Sequence, residues 1–95
     1  MRQISQRPPP DGWRLIDHSL SLMKIYLPDK PYPTFRYSYD WKHDKAGTLD
    51  QQLGVDRLER LLFKHFSGFR AAIIIDLKDD KIIRKYNGKG HRLPV

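Results

Sequence analysis

From Ala71 to Leu77 every side chain is apolar except Asp76. Successive strand residues point to opposite faces, so a run apolar on both faces belongs in the middle of a sheet or at a seam between two copies. The run is short, β-branched at its centre and followed by Asp79-Asp80, whose short acidic side chains suit a turn. Lys81 to Tyr86 then returns as a second arm. This spacing predicts a β-hairpin in which Leu77 faces Ile82 and Ile75 faces Arg84.

Thr34 to Lys42 has the cleanest alternation in the chain: Phe35, Tyr37, Tyr39 and Trp41 share one parity, and Thr34, Arg36, Ser38, Asp40 and Lys42 the other. It reads as a half-buried antiparallel strand with the four rings turned inward. Upstream, Met23, Ile25 and Leu27 alternate, which predicts a strand over Leu20–Leu27. Trp13 to His18 stays open, because Trp13, Ile16, Leu20 and Met23 also fit a helical stripe. Pro28 to Pro33 is a proline-rich connector, and His43 to Gly47 a polar loop.

Thr48 to Phe66 is expected to hold the main helix, capped by Thr48 or Asp50 and closed by Gly68 in a left-handed conformation. At about 100° per residue, Val55, Leu58, Leu61, Leu62 and Phe66 fall on one arc. His65 lies on the same arc and reads as a packed core histidine. Arg57, Arg60 and Lys64 gather opposite. The elements add up to an α+β fold of approximate order ββαββ, a small antiparallel sheet carrying one principal helix. Residues 11–86 form the single domain, between a basic proline-rich arm (1–10) and a basic glycine-containing tail (87–95). Pro8 to Met23 resembles the start of a family of zinc-binding spliceosomal proteins. The cysteine-rich half of that family has no counterpart here, and the resemblance implies nothing further.

The absence of cysteine from the 95 residues excludes a disulfide framework, a thiolate nucleophile and a cysteine-based metal site. No apolar run approaches the roughly 20 residues of a membrane helix. A soluble intracellular protein is expected, cytoplasmic, or nuclear in a eukaryote. The net charge of +7 is unevenly placed. Arg2 and Arg7 put +2 on residues 1–10, and Lys81, Arg84, Lys85, Lys89 and Arg92 put +5 on residues 81–95. The body between them sums to zero, and basic ends on a neutral body suit a polyanion.

Three features invite chemistry. Sheet aromatics with cations nearby are how single-stranded nucleic acids are held, and Trp41, at the strand's end, is the ring expected to stay within reach. Arg57, Arg60 and Lys64 align along one helix side, where they suit phosphates. Asp76-Leu77-Lys78 resembles the Asp/Glu-x-Lys element of metal-dependent nucleases, which need a second acid such as Asp40, Asp50 or Glu59. The histidines His18, His43, His65 and His91 show no metal-ligand spacing.

The expected function is therefore non-catalytic binding of DNA or RNA, of a phage, plasmid or accessory regulatory kind, without cofactor. The contacts fall to Arg57, Arg60, Lys64, Arg84, Lys85, Lys89, Arg92 and Trp41. The alternative is a protein-interaction module, an inhibitor or assembly subunit, working through the hairpin. A nuclease using Asp76 and Lys78 comes third. Because one helix covers only one face of the apolar strand, another element such as the Trp13–Leu27 segment or a second copy must cover the other, and a homodimer is expected.

Overall fold

The computed structural model describes residues 18–42 and 48–95. The arm, nearly all of the open Trp13–His18 segment, and the loop His43–Gly47 lie outside them. Five strands, β1 (Ser21–Tyr26), β2 (Thr34–Tyr37), β3 (Ala71–Asp76), β4 (Ile82–Asn87) and β5 (Arg92–Leu93), form one sheet in the order β2-β1-β3-β4-β5. All neighbours are antiparallel. Among the described residues the one long helix, α1 (Gln51–His65), lies between β2 and β3 in the chain, so the fold is α+β as expected.

The hairpin runs β3 to β4, and β3 sits in the middle of the sheet, paired with β1 on one side and β4 on the other. β5 covers the outer arm of the hairpin at Lys85 and Tyr86, so the sheet's edges are β2 and the short β5.

The core fills the space between α1 and one sheet face. Val55, Leu58 and Leu62 from the helix meet Met23 and Ile25 of β1, Ala72 and Ile74 of β3, Tyr86 of β4, and Phe69. Leu61 and Phe66 pack at its margin. Asp50 caps the helix, its Oδ1 accepting from the Leu53 N–H at 3.2 Å. At the other end the Phe66 N–H reaches Leu62 O, and Gly68 takes φ +84°. His65 is exposed rather than packed. Phe66 and Phe69 fill the end of the core, and Phe63, Lys64 and His65 of the last turn are exposed.

Two departures from the expected pattern position the functional surface. The first is in the hairpin. The connection is longer than two residues: Asp76 N–H donates to Lys81 O and Asp80 N–H to Asp76 O, with Asp80 at φ +58°. Ile75 consequently pairs with Ile82, and Ile74 with Arg84. The register shifts between these pairs, leaving Ile83 as the extra residue of a bulge. Arg84, expected opposite Ile75, instead lies beside Ile74 on the helix side.

The second is in β2. The ladder ends at Tyr37, and its alternation faces the other way from the expected one. Arg36 pairs with the core residue Met23, whereas Phe35 pairs with Lys24 and Tyr37 with Leu22. Paired residues share a face, so Phe35 and Tyr37 point away from the helix. The buried members of the segment are Ser38, Asp40 and Trp41. Hydrogen bonds explain this inversion. Asp40 Oδ2 accepts from the Leu20 N–H at 2.9 Å and from the Ser38 hydroxyl at 2.7 Å, while Ser38 Oγ accepts from the Ser21 N–H at 3.0 Å. The start of β1 has backbone donors to satisfy, and two short polar side chains satisfy them where rings would not.

Candidate nucleic-acid interface

Because Met23 and Ile25 face the helix, Leu22, Lys24 and Tyr26 face away from it, and the register carries that parity across the sheet. The central row of this open face reads Phe35, Lys24, Ile73, Lys85, Leu93 from β2 to β5. Beside it runs Tyr37, Leu22, Ile75, Ile82, and on the other side Tyr26, Ala71, Asn87. No acidic residue stands in any of these rows. Phe35 is 48% exposed and Tyr26 40%, with Ile82 and Leu93 comparably open, while Leu22 and Ile75 between them are buried. Lys24 and Lys85 flank Ile73, separated by two strand spacings, about 10 Å. Neither makes a salt bridge among the described residues.

The helix side of the sheet is organised in the opposite way. Arg84 meets Asp56 at 2.9 Å and Glu59 at 3.4 Å, and Arg92 meets Glu59 at 2.9 Å. The Tyr86 hydroxyl donates to Glu59 Oε1 at 2.7 Å. Burial raises the Glu59 pKa, but hydrogen bonds from Arg92 and Tyr86 and the charges of Arg92 and Arg84 outweigh it and hold the carboxyl below its ordinary range. Burial, with Glu59 alongside, pushes Tyr86 up to about 12. These two arginines, expected to grip phosphates, are engaged by acids of α1.

Arg57 does not join Arg60 and Lys64 as a free row. Its Nη1 donates to Tyr39 O at 2.7 Å and to Trp41 O at 2.8 Å, and its guanidinium lies 4.9 Å from the Tyr39 ring centroid. Trp41 is buried, so its ring offers no stacking surface. Arg60, Lys64 and Lys89 are exposed, with Lys89 in the turn between β4 and β5. Of the cations picked from sequence, Lys85 alone stands on the open face. Lys24 and Tyr26 were not among the residues picked from sequence, and Phe35 and Tyr37, weighed there as a stacking row, were expected to turn inward. A lysine between the core residues Met23 and Ile25 is the signal that identifies that face.

Asp76 and Lys78 line a cleft of about 320 Å³ with Ser19, Leu20, Gln51 and Leu77. Asp76 Oδ1 accepts from the Lys78 N–H at 2.8 Å and Oδ2 from the Gln51 amide at 3.2 Å, which together hold its pKa below the ordinary carboxylate range. Both carboxylate oxygens thus have structural donors. Among the described residues no three His, Asp or Glu side chains come together in a metal-binding group. No described helix is long and apolar enough to cross a membrane. No family model, curated protein or solved structure matches the chain.

Proposed function

We propose that this chain is a small nucleic-acid-binding protein that takes its polyanion on the open face of the sheet. The observation that supports this reading most is the placement of Lys24 and Lys85 on a face whose cross-strand rows carry no acid. Two lysines with no acid in their cross-strand row leave a positive potential to which phosphates are drawn, releasing their counterions. Arg60, Lys64 and Lys89 add exposed positive charge elsewhere and favour approach without specifying where the strand lies.

The test is binding to labelled DNA and RNA at several salt concentrations, with the wild type and a Lys24→Gln/Lys85→Gln variant. The wild type binds at low salt and weakens as salt rises. Losing two phosphate contacts lowers the slope of log affinity against log salt by about 1.4 on a single strand. Absence of binding at low salt, or an unchanged slope in the double variant, overturns the proposal.

A further inference from the structure

We infer, resting on the reading above, that the ligand is a single strand whose bases stack on Phe35, Tyr37 and Tyr26 while Lys24 and Lys85 hold its phosphates. Three aromatic rings stand on neighbouring strands at one end of the open face, two on β2 and one on β1. Phe35 and Tyr26 expose ring surface to solvent, although neither is needed to close the core. Along β2 the two rings advance about 6.8 Å, one strand repeat. Lys24 stands directly beside Phe35, so a cation lies where the backbone of a stacked nucleotide would pass.

The chemistry distinguishes this ligand from a duplex. In double-stranded nucleic acid the base faces are covered by their neighbours and only groove edges and phosphates are accessible, which leaves the rings nothing to stack on. In a single strand every base presents a π-face, and stacking tolerates any sequence. Apolar cover for the rings and countercharge for the lysines then come from the same molecule. A second copy of this chain supplies only the first, because its own open face presents the same two lysines.

The experiment compares oligo(dT) and oligo(U) with a duplex of equal length, using wild type, Phe35→Ala, Phe35→Trp and the double lysine variant. Circular dichroism checks that each is folded; position 35 is half exposed, so its variants keep the core. Single strands bind more tightly than the duplex. Phe35→Ala weakens single-strand binding roughly five- to a hundredfold and leaves the salt slope unchanged. Phe35→Trp retains binding, and its extra indole fluorescence over wild type is quenched by the oligonucleotide. The lysine variant loses salt slope and keeps that quenching when built into the Phe35→Trp chain. Equal binding of duplex and single strand with no effect of Phe35→Ala overturns the stacking inference but leaves the proposed function standing. No binding to any nucleic acid overturns both. A dimer in sedimentation that Phe35→Ala dissociates assigns the face to a second copy and also overturns the inference.

Discussion

Gly54 lies against the carboxylate of Asp40, and the volume a methyl group would need at position 54 is already occupied by Asp40 Oδ1. Ser38 Cβ would stand only 3.3 Å from that methyl. Asp40 is 1% exposed and held through its other oxygen by Leu20 and Ser38, so it has little freedom to withdraw. The glycine in the first turns of α1 is thus the imprint of a carboxylate that reaches it from across the fold.

Replacing a helical glycine with alanine ordinarily stabilises a helix by about 0.5–1 kcal/mol. Here Gly54→Ala should destabilise, by about 1–3 kcal/mol, because the overlap forces Asp40 or the helix to move. In an Asp40→Ala background the same substitution should cost much less. Denaturant melts of the two single variants and the double variant check this coupling, and simple additivity would contradict it.

Arg57 closes the segment after β2 by holding two carbonyls with one nitrogen. Arg57→Ala should destabilise by about 1–3 kcal/mol, since two carbonyls lose a charged donor. Arg57→Lys should recover only part, lacking the planar fork and its stacking on Tyr39. Arg60→Ala, on the exposed side of the helix, should change stability by less than about 0.5 kcal/mol. Thermal melts of the three variants rank these effects.

Glu59 predicts an acid limb. Its folded pKa lies below the ordinary 4.5, so its contribution is fully present above pH 4.5 and is lost as pH falls through the folded value. In Glu59→Gln this part of the stability–pH curve should flatten, and stability near neutrality should drop by about 1–3 kcal/mol. Unfolding midpoints between pH 7 and pH 3 provide the measurement.

Tyr86 predicts the alkaline counterpart. Its pKa is raised from 10.0 to about 12, so the stability it contributes is complete below pH 10 and declines as pH rises through about 12. Ultraviolet titration of the wild type should show a phenol ionising near pH 12. In Glu59→Gln that step should move to lower pH, because both the accepting oxygen's charge and its repulsion of a phenolate are gone. Tyr86→Phe should abolish the late step.

The periodicities of the helix and of β1 were legible because each element satisfies its own pattern. Val55, Leu58 and Leu62 face the core as their spacing requires, and so do Met23 and Ile25. The orientation of β2 was not legible. Alternation separates two faces without saying which is inside, and the deciding donors, Leu20 and Ser21 N–H, stand at the start of β1, 20 and 17 residues away. The bulge at Ile83 was hidden for a related reason: Ile82 and Ile83 are equally apolar, so no change of pattern marks the slip that moves Arg84 to the helix side. The cations could be counted from sequence. Which of them remain available depended on Asp56 and Glu59, whose partners stand 25 to 33 residues away.

Glu59 also orders events in time. Its partners Arg84, Tyr86 and Arg92 all follow it in the chain. On the ribosome α1 therefore emerges before Arg84, Tyr86 and Arg92, and these partners reach it only once β4 and β5 have been made. β1 waits likewise for β3 along one side, while β2 is already at hand on the other. The half of the sheet bearing Phe35, Tyr37 and Tyr26 can take shape before β4 and β5 are made, whereas the half that fastens the helix waits for them.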